Sequence, residues 1–309
     1  MKNIIFPKNL KKGDQIAIIS PAGFVEEASL QSTINLIKSK GYEPILGKYT
    51  LGKFENGYNY SGTEKERIQD LNWALNNPEI SAIWASRGGY GCQHLLRHLK
   101  LSEFRENPKW YIGYSDNTVI NSYLLKNNFA SIHGQTVKTA SFGVSEGSYE
   151  DIFKILEGKK IHYSVEKHQL NKKGKAEGEL IGGNLALIYA LLGTPYSFDF
   201  KDKILFIEDI GENFYALDRM LISLDLAGVF RKIKGLIIGG MTNMGDAKEN
   251  KNYDEPFDEF TYEIIAQRIK KYNFPTLFGF PNGHIFDNRP LIIGAKVKIE
   301  VDNKIKVES

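Results

Sequence analysis

The sequence of 309 residues lacks several features that would each identify a class of protein. Its single cysteine, Cys92, excludes an intramolecular disulfide and a multi-cysteine metal site, and it favours a reducing compartment. Lys plus Arg outnumber Asp plus Glu by only 40 to 37, which gives no reason to expect a nucleic-acid partner. The first 14 residues lack the apolar core of a signal peptide, and the longest apolar run, 185–192, is far below the roughly 20 residues of a membrane span. These absences predict a cytoplasmic protein with no membrane and no nucleic-acid partner.

Short apolar runs alternate with segments of helical periodicity through the first half of the chain. A buried strand is predicted at 15–20, followed by Leu30, Ile34 and Ile37 at helical spacing. Further strands are predicted at 43–46, 82–85, 110–114 and 130–132, with helices at 63–76 and 119–126 among them. This alternation predicts an α/β fold whose N-terminal domain, residues 1–150, is a doubly wound parallel sheet.

The composition changes after residue 150. Residues 151–176 contain seven lysines and few large apolar residues, so they are predicted to form a basic, solvated linker. Beyond it, strand patterns at 177–181, 203–207 and 236–238, helical patterns at 184–192, 214–226 and 257–272, and a hairpin pattern over 295–307 indicate a second core. Residues 177–309 are therefore predicted to be a C-terminal, β-rich α/β domain.

A serine follows one of the predicted strands in Gly113-Tyr-Ser-Asp116, just before a helix. A serine at a sharp strand-to-helix turn presents its hydroxyl at the edge of the sheet, and the next backbone N–H, here that of Asp116, lies at a helix N-terminus where an oxyanion is stabilised. Ser115 is thus a candidate nucleophile. The alternative is that Ser115 or Asp116 simply caps the helix, and the fifth position of a Gly-x-Ser-x-Gly motif is here Asn117.

A glycine-rich segment, Ser86-Arg-Gly-Gly-Tyr-Gly91, follows the preceding strand. Glycines let backbone N–H groups approach a ligand closely, so Gly88 or Gly89 is expected to supply the second donor of an oxyanion hole. The segment has neither phosphate-loop nor dinucleotide spacing. The alternative is a turn that needs glycine only for its positive φ.

A serine nucleophile requires a base and a group that orients the base. His133, at the end of a predicted strand, and His284, in a loop of turn residues, are the candidate bases, and a purely structural role is open for His133. Glu208, at the end of an apolar run, is the candidate orienting acid, or else an acid at a helix start. His94 and His98 have the spacing of a metal pair, but no third ligand is evident and an amphipathic helix face is the alternative.

Taken together, these segments resemble the LD-carboxypeptidase family, serine peptidases that include murein tetrapeptide carboxypeptidases and microcin C7 self-immunity hydrolases. The resemblance spans nearly the whole chain, and it departs from the family at Gln135, where Pro is frequent, and at Ile285, where Gly is frequent. The motifs that carry it are Gly13-Asp14, Ile18-Ile-Ser-Pro-Ala-Gly23, Arg87-Gly-Gly-Tyr-Gly91, Ile112-Gly-Tyr-Ser-Asp116, Gly182-Gly-Asn-Leu185, Phe206-Ile-Glu-Asp-Ile-Gly-Glu212, Asp218-Arg219-Met220, Gly283-His284 and Asn288.

The resemblance implies roles for the same residues. Ser115 would be the nucleophile, His284 the general base and Glu208 its orienting group, and the N–H groups of Asp116 and of Gly88 or Gly89 would form the oxyanion hole. It further implies a homodimer that needs no metal or organic cofactor.

The implied reaction is release of terminal D-Ala from a cytoplasmic murein tetrapeptide during peptidoglycan recycling. One alternative is the microcin branch, which cleaves an acyl-nucleotide amide. All three tryptophans, Trp73, Trp84 and Trp110, lie in the first half, where the resemblance expects no nucleobase contact, and this favours the murein branch. A second alternative is a non-catalytic protein that binds wall peptides.

Overall fold

The computed structural model describes residues 3–245, 257–302 and 305–308, and these residues form two large sheets and a small hairpin surrounded by helices. The strands are β1 (Gln15–Ile19), β2 (Glu43–Leu46), β3 (Phe54–Glu55), β4 (Asn59–Tyr60), β5 (Ile80–Ala85), β6 (Trp110–Ile112), β7 (Ser131–His133), β8 (His162–Val165), β9 (Gly174–Asn184), β10 (Ile204–Ile210), β11 (Gly235–Thr242), β12 (Thr276–Phe278), β13 (Leu291–Ile293), β14 (Lys296–Val301) and β15 (Ile305–Glu308). The α-helices are α1 (Gln31–Ser39), α2 (Glu64–Asn76), α3 (Ser102–Glu106), α4 (Thr118–Lys126), α5 (Glu146–Leu156), α6 (Leu185–Leu191), α7 (Phe214–Leu226), α8 (Val229–Lys232) and α9 (Glu259–Ile269).

The first sheet has the strand order β13-β7-β6-β5-β1-β2, and only the pairing of β13 with β7 is antiparallel. In β1, Ile16 and Ile18 enter one core while Ala17 and Ile19 enter another, because successive side chains of a strand point to opposite faces. Helices α1 and α5 pack on the first of these faces, and α2 and α4 pack on the second. Both faces are covered, which confirms the predicted doubly wound sheet.

The second sheet has the order β12-β11-β10-β9-β14-β15-β8. Strands β9 to β12 are parallel, and β14, β15 and β8 extend the sheet in antiparallel pairings. Leu205 and Ile207 of β10 face one core, and Ile204 and Phe206 face the other. This mixed sheet confirms the predicted β-rich α/β unit, although the turn of its β14–β15 hairpin lies outside the described residues.

The linker predicted at 151–176 differs from what the structure contains. Residue 151 lies inside helix α5, whose Ile152 and Phe153 are buried in the first core, and β8 is an edge strand of the second sheet. Of the seven lysines that suggested a solvated connection, Lys154 lies on the half-exposed side of α5 and Lys175 lies in β9, while the others lie between the named helices and strands. The average composition of the segment did not reveal the amphipathic helix, because polar residues on its exposed face lower the apolar fraction.

Strand β13 belongs to the C-terminal part of the chain but completes the first sheet. Leu291 pairs with His133 and Ile293 with Ser131 across the antiparallel ladder. Three residues are too few to show strand periodicity, so this crossing of the chain between the two sheets is not evident from the sequence.

The parallel strands place several loops at one edge of each sheet. The glycine-rich segment follows β5, and Ser115 follows the neighbouring strand β6. In the second sheet Glu208 lies in β10, and His284 lies in the loop after β12. Ligands of open α/β sheets bind outside the carboxyl ends of the strands, so these loops form the candidate site. None of the helices in the described ranges is long and apolar enough to cross a membrane.

Candidate active site

The backbone at Ser115 adopts a conformation that serine rarely takes. Its φ is +63°, whereas non-glycine residues with positive φ are uncommon and store strain. The chain turns sharply here from β6 into a 3-10 turn, Ser115–Asn117, that leads directly into α4. Neither Ser115 nor Asp116 makes a side-chain capping bond to these helices. The geometry is that of a nucleophile elbow and argues against the capping alternative.

Asn117, which stands where the motif usually has glycine, holds this turn in place. Its Oδ1 accepts a hydrogen bond from the Tyr111 hydroxyl at 2.5 Å, and its Nδ2 donates to the Tyr114 carbonyl at 3.0 Å. The side chain is fully buried, so these bonds are protected from water. A Cβ on Gly113 would lie 2.8 Å from Asn117 Cγ, which explains why Gly113 is glycine.

The carboxylate of Asp116 ties the same turn to the glycine-rich loop. Its Oδ2 accepts a hydrogen bond from the backbone N–H of Cys92 at 2.7 Å. Asp116 is buried, and burial raises the pKa of its carboxyl above the ordinary value. This hydrogen bond holds Asp116, and with it the backbone N–H of Asp116, in a fixed position.

Gly88 lies directly against the serine. A Cβ added at Gly88 would be 2.8 Å from Ser115 Cβ and 3.0 Å from its Oγ, so no larger residue fits without displacement. Gly89 has a φ of +109°, and a Cβ there would collide with the Tyr58 hydroxyl at 2.1 Å. Both the close approach and the positive φ that were predicted as alternatives are therefore present in this loop.

Glu208 and His284 form a hydrogen-bonded pair, with 2.8 Å between Oε2 and Nδ1. Glu208 is fully buried, whereas the His284 side chain is 11% exposed. Because an ionised carboxylate only accepts hydrogen bonds, Nδ1 carries the proton and Nε2 is left as the basic nitrogen.

The pKa values of the two groups reflect their pairing. Burial alone would raise the pKa of Glu208, but the charge of His284 and their hydrogen bond hold it below the ordinary value of 4.5. Burial acts in the opposite direction on His284, where the charge of Glu208 and the same bond nevertheless bring the pKa above 6.5.

A cavity of about 170 Å³ brings the two halves of the site together. It is lined by Arg87, Gly88, Gly89, Tyr114, Ser115, Thr136, Lys138, Thr139, Phe142 and His284. No hydrogen bond joins Ser115 to His284, both of which lie in the described ranges. Such bonds are often long in the free enzyme and tighten when substrate binds. Two larger cavities, of about 260 and 340 Å³, have no serine or histidine in their linings.

His133, the other candidate base, lies behind this cavity rather than on it. It is fully buried, with its ring 5.3 Å from that of Phe206 and 6.1 Å from that of Tyr114, measured between centroids. Burial lowers its pKa to about 4, so the imidazole is neutral. Strand β13 pairs with the strand that carries His133, with Leu291 opposite it, and three residues show no periodicity from which this pairing could be predicted.

A polar contact between the two sheets is not predicted by the sequence analysis above. The N–H of Asn184 donates to Thr118 Oγ1 at 3.0 Å, and its side-chain amide donates to Asp209 Oδ1 at 2.8 Å. Burial and then the charge of Glu208 raise the pKa of Asp209 to about 7. The paired glycines of Gly182-Gly-Asn-Leu185 are the sequence feature that could have indicated this close approach. A Cβ on Gly183 would lie 2.6 Å from Thr118 Oγ1.

His94 and His98 do not present a shared ligand face. They lie in a 3-10 helix, Cys92–His98, in which residues four apart differ by about 120° around the axis. His94 instead contacts the Tyr90 hydroxyl at 3.2 Å through Nε2. Within the described ranges, no group of three His, Cys, Asp or Glu side chains is arranged to hold a metal ion.

Two family models match the chain. The LD-carboxypeptidase N-terminal domain matches residues 16–134, and the LD-carboxypeptidase C-terminal domain matches residues 177–299. Together they cover well over half of the sequence.

Individual relatives agree with the family models. The probable murein peptide carboxypeptidase of Bacillus subtilis (strain 168) is 31% identical over 310 residues, which cover 97% of this chain and 93% of the relative. The microcin C7 self-immunity protein MccF of Escherichia coli is 29% identical over 96% of this chain and 93% of its own. The structure of MccF with glutamyl sulfamoyl guanosine has a TM-score of 0.83, with 26% identity and 98% of each chain covered.

A muramoyltetrapeptide carboxypeptidase from Oxalobacter formigenes has the same fold. Its crystal structure superimposes with a TM-score of 0.82 at 28% identity, covering 95% of this chain and 98% of the other. The agreement extends over both sheets. The chain therefore belongs to the LD-carboxypeptidase family.

Proposed function

We propose that this carboxypeptidase is a serine-type L,D-carboxypeptidase that releases the terminal D-Ala of a murein tetrapeptide in the cytoplasm, during peptidoglycan recycling. The observation that carries the proposal is the shared cavity, where the strained Ser115 faces the paired His284 and Glu208. The murein peptides named for two of its relatives supply the substrate class. We further expect a homodimer, as the family resemblance implies.

In the proposed reaction, Ser115 Oγ attacks the scissile carbonyl carbon while His284 Nε2 takes the hydroxyl proton. The tetrahedral intermediate collapses when His284 passes that proton to the amine of the leaving D-Ala, which breaks the C–N bond and leaves an acyl-enzyme. A water molecule, deprotonated by His284, then releases the shortened peptide and restores Ser115. These steps use the side chains of the site and water, with no metal or organic cofactor.

Glu208 has an orienting and electrostatic role in this proposal. Its bond to Nδ1 keeps Nε2 directed away from the second sheet, and its charge stabilises the imidazolium that forms in each step. Full burial of the carboxylate strengthens this interaction, because no water screens it.

The oxyanion would be held by backbone N–H groups. One is that of Asp116, on the residue after the nucleophile. The carbonyl of Gly88 accepts from the N–H of Gly23 at 3.3 Å, and because the peptide bond is trans, the N–H of Gly89 points away from Gly23. Gly88 itself lies against Ser115. We therefore assign the second donor to this glycine pair, each donor contributing about 3 kcal/mol in the transition state.

The relationship to MccF supports a second candidate function, hydrolysis of an acyl-nucleotide amide. A nucleobase needs an exposed aromatic surface, and Trp84 and Trp110 are buried in the first core. Phe142, which is 62% exposed and lines the cavity, is the aromatic side chain that a base would contact. Because Trp84 and Trp110 are buried and cannot stack on a nucleobase, the murein peptide is favoured.

The first prediction concerns the nucleophile. Wild-type protein should release D-Ala from a murein tetrapeptide with diaminopimelate or lysine at its third position, but not from a D,D-linked control peptide. Ser115→Ala should lower kcat by at least about 10⁴-fold and still bind the tetrapeptide. Mass spectrometry of free D-Ala and calorimetry of binding measure the two effects.

Other outcomes of this experiment separate the alternatives. Turnover of a sulfamoyl-linked aminoacyl nucleotide alone would assign the protein to the microcin branch. Binding of wall peptides without turnover of any substrate would establish the non-catalytic reading.

The second prediction concerns pH. Since pairing with Glu208 raises the pKa of His284 above 6.5, the base is lost as pH falls through a value above 6.5, and kcat/KM should fall with it. Glu208→Gln should move this acidic limb to lower pH and reduce kcat by about 10⁴-fold. Glu300→Gln, a change at a half-exposed carboxylate paired with Lys175, is the control that should leave the profile unchanged. An acidic limb at the same pH in Glu208→Gln would contradict the pairing.

The third prediction concerns Gly88. Gly88→Ala should lower kcat by about 10²-fold or more, because its Cβ displaces Ser115 or the glycine-rich loop. Gly193→Ala is the control, since a Cβ there meets nothing within 4 Å and its positive φ costs only stability. Circular dichroism confirms folding of both variants, and full activity of Gly88→Ala would show that the serine is not constrained as described.

A further inference from the structure

Two cationic side chains line the cavity that holds Ser115 and His284. They are Arg87, in the glycine-rich loop after β5, and Lys138, in the 3-10 helix Val137–Phe142. Both are partly buried, and the backbone fixes their spacing, because the Lys138 N–H donates to the Ser86 carbonyl at 2.8 Å. The lining of the cavity therefore carries two positive charges.

Neither cation is neutralised by a carboxylate in the part of the chain that the structure describes. Arg87 donates one hydrogen bond, from Nη1 to the Phe24 carbonyl at 2.9 Å, and its guanidinium has five N–H donors. Lys138 Nζ lies 5.5 Å from the centre of the Phe142 ring. Burial lowers the pKa of Lys138, and the nearby charge of Arg87 lowers it further, while exposed Glu26 has a smaller opposite effect. Because the two like charges repel each other, an anion bound beside both is favoured.

The size of the cavity decides which part of a substrate enters. At about 170 Å³ it is smaller than the roughly 300–1,000 Å³ that enclose a whole drug-sized ligand. Only one end of a peptide fits, and the end must bring the scissile carbonyl to Ser115. In a peptide cleaved at its last bond, the terminal carboxylate is three bonds beyond the scissile carbonyl carbon. The cations therefore lie within reach of that carboxylate.

We propose that Arg87 and Lys138 bind the C-terminal carboxylate of the leaving residue and so restrict the enzyme to the last peptide bond. The assignment rests on the proposed function, and it names a specificity determinant for that reaction. Arg87 offers a planar donor pair to the carboxylate, and Lys138 adds a point charge. Binding the free carboxylate relieves the repulsion between the cations, which a neutral chain end cannot do.

The test compares a murein tetrapeptide ending in D-Ala with the same peptide ending in D-alaninamide. Wild-type kcat/KM should be about 10- to 100-fold higher for the acid than for the amide. Lys138→Met should lower kcat/KM for the acid by a similar factor, chiefly through KM, and leave the amide nearly unchanged. Lys138→Arg should restore most of the preference, and Lys65→Met, an exposed lysine on α2, should behave as wild type.

Binding to Ser115→Ala provides a readout that does not depend on turnover. Calorimetry should show the same preference for the acid, and the double variant with Lys138→Met should lose it. Equal cleavage of acid and amide by the wild type, or an equal loss on both in Lys138→Met, would overturn the carboxylate assignment while L,D hydrolysis stands. If Ser115→Ala binds neither peptide, or if the wild type cleaves neither, the proposed function is wrong. If Ser115→Ala instead binds a nucleotide phosphate, and the Lys138→Met change removes that binding, the two cations bind phosphate and not a peptide carboxylate.

Discussion

The close approach of the two sheets beside Thr118 is the constraint on which the candidate site depends. Ser115 follows a strand of the first sheet, whereas Glu208 lies in a strand of the second and His284 in the loop after another, so the candidate site is complete within neither sheet. Gly183, with a φ of +145°, allows its strand to come so near that a side chain would strike Thr118. The Asn184 N–H then bonds Thr118 Oγ1, at the first residue of the helix that follows the serine. The contact that joins the two sheets therefore also positions Ser115 relative to Glu208 and His284.

Strain at the serine is sustained by buried polar bonds around it. A left-handed conformation costs a non-glycine residue about 1–2 kcal/mol, which must be offset by the surroundings. Asn117 and Asp116 supply the offset through bonds to Tyr111 and to the N–H of Cys92. Because the turn cannot relax without leaving these buried groups unpaired, the hydroxyl stays at the cavity. Rigid support of this kind holds a nucleophile in position before substrate arrives.

Much of this arrangement could be predicted from the sequence, because local patterns carry it. The alternation of buried strands and amphipathic helices predicted the doubly wound sheet, and the turn residues around Ser115 and Gly88 predicted loops at its edge. The limits appear where structure depends on distant parts of the chain. Strand β13 is too short to show periodicity, yet it completes the first sheet beside His133. The burial of that histidine against Phe206 of the second sheet likewise depends on packing between distant segments. Helix α5 was also not predicted, because the lysine content of 151–176 as a whole does not show that residues 151–156 belong to a helix with one buried face.

The most direct test of the account is intact-mass spectrometry of the protein treated with a fluorophosphonate, followed by mapping of the labelled peptide. The reagent reacts with a serine only when a base activates it, so it reports on the cooperation of the two sheets without any choice of substrate. We expect one adduct, on Ser115, formed far more slowly in Glu208→Gln. An adduct on another residue, or none in a preparation that still releases D-Ala, would contradict it.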